Sequence, residues 1–191
     1  MEALLISTGL VALAEIGDKT QLLAFVLAAR FKRPLPILLG ILVATLLNHA
    51  AAGALGAWLT TLVAPLALRW LLGASFIAMA IWILIPDEID DASATQTRHG
   101  IFATTLVTFF FAEIGDKTQI ATIALAAKYQ ALAPVVLGTT LGMMLANAPA
   151  VLLGERIAQR IPTRWVHGIA ALIFASLGIA ALLGLGDAVG L

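Results

Sequence analysis

Long apolar runs, interrupted at short intervals by proline, glycine and charge, set the pattern of this chain. Six stretches have about the 20 residues needed to cross roughly 30 Å of hydrocarbon. They lie at about 3–29, 35–61, 66–86, 100–127, 132–154 and 166–186. Between them fall "RFKRPLP" at 30–36, Pro65, "PDEIDDASATQTRHG" at 86–100, "KYQALAP" at 128–134 and "RIPTRW" at 160–165, punctuation that helix interiors avoid. The edge near Pro65 is the least sharp, because "TTLVAP" is itself apolar. The runs lack the ten-residue alternation of barrel strands, so the pattern predicts an all-α membrane protein with six transmembrane helices.

Composition agrees. Of 191 residues 61% are hydrophobic and 12% charged, with a mean hydropathy of +1.03, against about 45–50% apolar and about 25% charged in soluble domains. A formal net charge of zero and no basic run with interleaved aromatics exclude nucleic acid as a partner. The absence of cysteine removes disulfides, thiolate nucleophiles and soft sulfur ligands, so any metal must be held by oxygen, with histidine the one nitrogen option. No activated nucleophile is in evidence, and no enzyme activity or bound cofactor is expected. "MEALLIST" lacks the positive start and small-residue cleavage site of a secretory signal and is expected to open the first span.

The octapeptide "AEIGDKTQ" stands at 14–21 and again at 112–119. The offset, 113 − 15 = 98, also aligns Ala28-Ala29 with Ala126-Ala127, Arg30 with Lys128, Pro36 with Pro134, Gly40 with Gly138, and Gly56 with Gly154. The chain thus reads as two copies, 1–86 and 100–191, joined by an acidic linker at 87–99. Three spans per copy is odd, so the second copy must cross in the opposite sense, giving inverted-topology three-helix repeats. Seven loop cations fall on one side (Arg30, Lys32, Arg33, Arg98, Arg156, Arg160, Arg164) and two, Arg69 and Lys128, on the other. The positive-inside rule then puts the linker in the cytoplasm and both termini outside it.

After loop and terminal charges are set aside, six remain: Glu15, Asp18, Lys19, Glu113, Asp116 and Lys117. Glu15 lies 12 residues beyond Ala3, and Glu113 lies 12 beyond Ile101. At 1.5 Å per residue each is ~18 Å along its span, near mid-bilayer. Each such charge costs roughly 2.5–3.5 kcal/mol before pairing, so ionisable residues here are functional by default. On a continuous helix Glu15, Asp18 and Lys19 share a face, as do Glu113, Asp116 and Lys117. Four carboxylates and two ammonium groups leave −2, which one divalent cation balances and two protons balance equally. Glu15, Asp18, Glu113 and Asp116 are therefore the expected ligands of a hard divalent ion, with Lys19 and Lys117 balancing charge. The plainer alternative is a pair of structural bridges, Glu15 to Lys19 and Glu113 to Lys117, which leaves both aspartates unexplained.

Gly17 and Gly115 permit either close helix approach or a break, and Asp18 with Gln21, like Asp116 with Gln119, has the spacing of an N-cap and its N3 partner. Gln21, Gln119, Asn48 and Asn147 are secondary ligand candidates, although an amide in a membrane helix commonly bonds a neighbouring helix. His49 aligns with Asn147. His99 and His167 read as inert loop-edge residues. Thr20 and Thr118 are ~140° round from the glutamates, suited to back-bonding or to lining the pathway. Trp58, Trp70, Trp82 and Trp165 read as interfacial anchors.

The doubled Glu-Ile-Gly-Asp-Lys-Thr resembles the E-x-G-D-(K/R)-(T/S) signature of the Golgi-type Mn²⁺/Ca²⁺ transporter family, whose bacterial relatives include manganese exporters. The likeness extends over nearly the whole chain. It implies cation/proton exchange, binding by Glu15, Asp18, Glu113 and Asp116, and export of Mn²⁺, with Ca²⁺ as the other substrate attributed to members. The compact length looks like that of a prokaryotic member, which implies the plasma (inner) membrane and export from the cytoplasm. From the residues alone two alternatives stay open: an exporter of small organic cations or amino acids, and a passive cation channel or a scaffold without transport. The sequence is silent on oligomeric state.

Overall fold

The computed structural model describes residues 1–85, 100–153 and 163–184. Among them the chain forms eight helices and no strand: α1 (Glu2–Glu15), α2 (Lys19–Phe31), α3 (Pro34–Leu62), α4 (Pro65–Trp82), α5 (Gly100–Glu113), α6 (Lys117–Tyr129), α7 (Leu132–Leu153) and α8 (Thr163–Leu183). The linker at 87–99 and Gly154 lie outside the described residues. Four helices, α3, α4, α7 and α8, are long and apolar enough to cross a membrane. The surface is inverted relative to a soluble protein: Leu35, Leu66, Ile81 and Leu172 are exposed, whereas Glu15, Asp18, Glu113, Asp116 and Lys117 are buried. This is a multi-pass membrane protein, since only lipid makes such an exterior favourable.

The expected runs 3–29 and 100–127 are each two consecutive helices, α1 with α2 and α5 with α6. The breaks match. Gly17 and Gly115 take φ of +86° and +77°, a region that side chains with a Cβ avoid, and Asp18 and Asp116 follow as extended N-cap residues with ψ of 166°. The far ends match too. α2 and α6 stop at the left-handed residues Lys32 and Gln130, 98 apart, whose N–H groups donate to the carbonyls of Ala28 and Ala126, the αL helix stop with residues other than glycine. Pro34 and Pro65 begin α3 and α4, where a missing N–H costs no helical bond.

α1 packs on α7, and α5, its equivalent by the offset, packs on α3; α3 and α7 also meet. Glycine allows the close approach. A Cβ on Gly40 would come within 2.7 Å of Thr105 Cβ on α5, and one on Gly138 within 2.5 Å of the Leu4 carbonyl oxygen on α1. Small residues at such crossings let backbones approach in place of a hydrophobic driving force that lipid does not supply. α4 and α8 pair with each other, their offset-equivalent Phe76 and Phe174 rings 6.2 Å apart. Trp58, Trp70 and Trp165 are exposed, whereas Trp82 packs partly buried against the core that contains Phe76. Trp82 is thus half core, not only an anchor.

Candidate metal centre

The two breaks bring their carboxylates together. Glu15 ends α1, Glu113 ends α5, and Asp116 caps α6. Each offers an oxygen to a cluster in which all three oxygens lie within 4.8 Å of one another, all buried. Glu15 Oε1, Glu113 Oε1 and Asp116 Oδ2 have no hydrogen-bond partner in the protein. Oxygens that share a hard ion at about 2.0–2.6 Å lie no more than about 4.0–5.2 Å from one another, so this spacing is compatible with one such ion. Asp18, the fourth expected ligand, is not in this trio, although its charge acts on both Glu15 and Glu113. One of its oxygens is held by Lys117.

The lysines do not bridge within their own segments. Lys117 Nζ lies 2.9 Å from Asp18 Oδ1, and Lys19 Nζ lies 3.1 Å from Asp116 Oδ1. Each ammonium has crossed to the other copy. The expectation of one shared helix face, and the bridges from Glu15 to Lys19 and from Glu113 to Lys117, fail for one reason: the 100° per residue rule stops at the glycine, and the helix restarts in a new phase. The same reset moves the threonines. Thr20 Oγ1 donates to Glu15 Oε2 at 2.7 Å, and Thr118 Oγ1 donates to Glu113 Oε2 at 3.2 Å, so neither hydroxyl back-bonds to its own helix.

The amides brace the breaks. The N–H of Gly17 donates to Gln21 Oε1 at 2.9 Å and that of Gly115 to Gln119 Oε1 at 2.8 Å. Gln21 Nε2 also donates to the Ala146 carbonyl on α7. These glutamines satisfy the residue before the N-cap, and neither aspartate makes a side-chain cap bond, so the N-cap spacing is right but the capping box is not formed. Asn48 Nδ2 donates to the Phe110 carbonyl on α5. Asn147 Nδ2 donates within α7, to the Met143 carbonyl and sulfur, and leaves its buried Oδ1 without a partner. His49 is fully buried and neither ring nitrogen has a partner; it does not join the carboxylate trio.

His167, read as inert from its place at a span edge, is not. Its Nε2–H donates to the carbonyl of Ile16 at 2.6 Å, beside the α1 break. Sequence distance hid it, for 151 residues separate the two; only the 98-residue offset, which equates His167 with Arg69, singles it out.

No solved structure matches this chain. The family model described as "Divalent cation/proton antiporter GDT1" matches residues 3–91 and 101–187. A Vibrio cholerae protein named "Putative manganese exporter" is 49% identical over 181 residues, 94% of this chain and 90% of its own length. "GDT1-like protein sll0615" of Synechocystis is 32% identical across 86% of this chain and 89% of its own, and "GDT1-like protein 5" of Arabidopsis thaliana is 29% identical across 93% of each. With both motif copies inside the matched stretches, the chain belongs to the GDT1 family of divalent cation/proton antiporters.

Proposed function

We propose that this protein exports Mn²⁺ from the cytoplasm in exchange for protons, with Ca²⁺ as a second substrate, by alternating access to the carboxylate site between the two breaks. One observation carries the reading: three buried carboxylates, Glu15, Glu113 and Asp116, each offer an oxygen within 4.8 Å of the others, and each has one oxygen without a hydrogen-bond partner in the protein. Like charges so placed repel unless a cation or protons share the space. Thr20 and Thr118 hold the second oxygen of each glutamate, so the free oxygens are fixed in aim, as supporting groups fix metal ligands.

Glu15, Glu113 and Asp116 bind the ion, and Asp18 joins when Lys117 releases it. In the ion-free state the ammonium groups of Lys117 and Lys19 occupy Asp18 and Asp116, leaving the two glutamates for protons. Counting charge, one divalent ion in and two protons out returns the site to neutrality. The buried amide oxygen of Asn147, which has no hydrogen-bond partner, is a further candidate ligand; Gln21, Gln119 and Asn48 brace the helices.

We further propose that the chain comprises two inverted three-span repeats, 1–86 and 100–191 about the 87–99 linker, with both termini outside the cytoplasm in a plasma membrane. The paired breaks, the paired helix stops at Lys32 and Gln130, and the two matched stretches of similar length support this. The test is reconstitution in proteoliposomes with Mn²⁺, Ca²⁺ and internal pH followed under an imposed proton gradient. Metal entry with stoichiometric proton exit supports the exchanger. Metal flux indifferent to the gradient identifies a channel; no metal flux but gradient-driven uptake of an organic amine identifies the other transporter class; no flux at all leaves a scaffold.

A further inference from the structure

The α4–α8 pair is symmetric within itself, but it sits on one side of the rest. α8 packs on α1 and α4 on α6, whereas the offset-equivalent pairings, α4 on α5 and α8 on α2, are not made to a comparable extent among the described residues. The cores repeat the asymmetry. One joins Phe76, Met79, Ala80, Ala170, Ala171 and Phe174 of this pair to α1 and α6; the other is built from α2, α3, α5 and α7 with nothing from α4 or α8. Lys117 on α6 is accordingly sealed, with 1% of its side chain exposed, and Lys19 on α2 is open, with 37%.

On the covered side His167 of α8 donates to the Ile16 carbonyl. That carbonyl follows the last residue of α1, where helix geometry leaves acceptors without partners and favours a donor or cation, and it adjoins Glu15. By the 98-residue offset its counterpart is Ile114, adjoining Glu113, and the counterpart of His167 is Arg69. Both are long side chains bearing N–H donors. Arg69 makes no such bond here: its Nε is buried without a partner, and the side chain lines a cavity of about 230 Å³ with Lys128 and Gln130 at the end of α6. Ile114 is 52% exposed.

We propose that His167 and Arg69 are alternate positioning residues for the ion site: His167 holds the α1 break in the arrangement seen here, and Arg69 takes the Ile114 carbonyl at the α5 break when the α4–α8 pair moves to the other half. Only one break is held at a time, so the segment of one glutamate is braced while that of the other is not. This assignment rests on the exchange reading above.

The test uses the full chain in proteoliposomes, where the lack of native cysteine makes an Arg69→Cys, Ile114→Cys pair uniquely reactive. Cross-linking by a short bifunctional thiol reagent is measured at rest, with Mn²⁺, and under proton gradients of either sign. A yield that changes by about threefold or more between conditions is expected for a moving two-state element. Absence of the cross-link in every condition, or a constant yield, overturns the proposal. In separate single variants, His167→Ala is expected to lower the maximal exchange rate about tenfold with less than about a twofold change in equilibrium Mn²⁺ binding, and His167→Gln, which keeps a side-chain N–H, to recover most of it. Equal rates for His167→Ala and wild type also overturn it. If wild-type vesicles exchange no metal for protons, the exchange reading falls, yet the cross-link still decides whether α4 reaches the α5 break.

Discussion

Lys117 Nζ sits 2.9 Å from Asp18 Oδ1 with both side chains 1% exposed, and the reciprocal pair, Lys19 with Asp116 at 3.1 Å, has its lysine 37% exposed. Two identical octapeptides therefore hold chemically identical pairs in unequal surroundings. Removing either lysine nevertheless strands a buried aspartate, Asp18 or Asp116, at a cost of about 3–5 kcal/mol. Lys117→Met and Lys19→Met are thus each expected to lower the unfolding temperature in metal-free detergent by roughly 6–20 °C, at about 2–4 °C per kcal/mol for a chain of this size. Thermal melts of the two variants check this, and an unshifted melt in either would mean that its aspartate does not depend on the lysine.

Glu15→Gln and Glu113→Gln are each expected to abolish proton-coupled Mn²⁺ movement while the protein stays folded. The amide oxygen that replaces the carboxylate can still accept from Thr20 or Thr118, so the local bond survives while the charge and the titratable proton are lost. Coupled flux should fall by more than about 100-fold, above the ~10–100-fold typical when only a group supporting a ligand is removed. Normal exchange in either variant, read from Mn²⁺ and internal pH together, would take that glutamate out of the mechanism.

The threonines supply the milder case. Thr20→Val deletes the donor that aims Glu15 and is expected to weaken Mn²⁺ binding by about 10–100-fold, and Thr20→Ser to keep it within a few fold of wild type. Titration calorimetry on the purified chain measures both. Equal binding by the valine and serine variants would mean that the hydroxyl does not orient the ligand.

Much of this site could be read in the residues. The isolated charges and their doubling at a fixed offset survive in the folded chain, where Glu15, Asp18, Glu113, Asp116 and Lys117 are all buried. What could not be read follows from the break. Face arguments count 100° per residue, and that count fails across Gly17 and Gly115, so the pairing of Lys19 and Lys117 with the aspartates of the other copy, and of Thr20 and Thr118 with the glutamates, is not legible from the helix period. The place of α4 and α8 was hidden for another reason: in a bilayer an apolar face is as favourable toward lipid as toward protein, so apolarity does not say which face is inward. His167 reads as inert in the sequence because its partner, Ile16, offers only a backbone carbonyl, which no side-chain pattern announces.

Gly115 has φ of +77° and open space where a Cβ would stand, so substitution there tests backbone conformation without steric clash. Gly115→Ala is expected to cost about 1–2 kcal/mol, the left-handed penalty for a residue with a Cβ, and Gly115→Asn less, because asparagine tolerates that region. Reconstituted exchange should fall in the order glycine, asparagine, alanine, valine. Wild-type activity in the valine variant would show that the left-handed turn is dispensable.

Lys32 and Gln130 are related by the 98-residue offset, close α2 and α6 with φ of +51° and +48°, and are both exposed. If the repeats are inverted, these matched positions face opposite sides of the membrane; parallel repeats would put them on the same side. Neither is glycine, so a cysteine in either place adds little backbone strain, and the absence of native cysteine keeps the labelling clean. In right-side-out vesicles an impermeant maleimide is expected to label Gln130→Cys and not Lys32→Cys, with the pattern exchanged in inverted vesicles. The seven loop cations gathered on the Lys32 side set the sign of this expectation through the positive-inside rule. Labelling of both variants from one side would remove the inverted repeat, and with it the symmetry that relates the two breaks; the reverse assignment would keep the symmetry and turn the direction of export around.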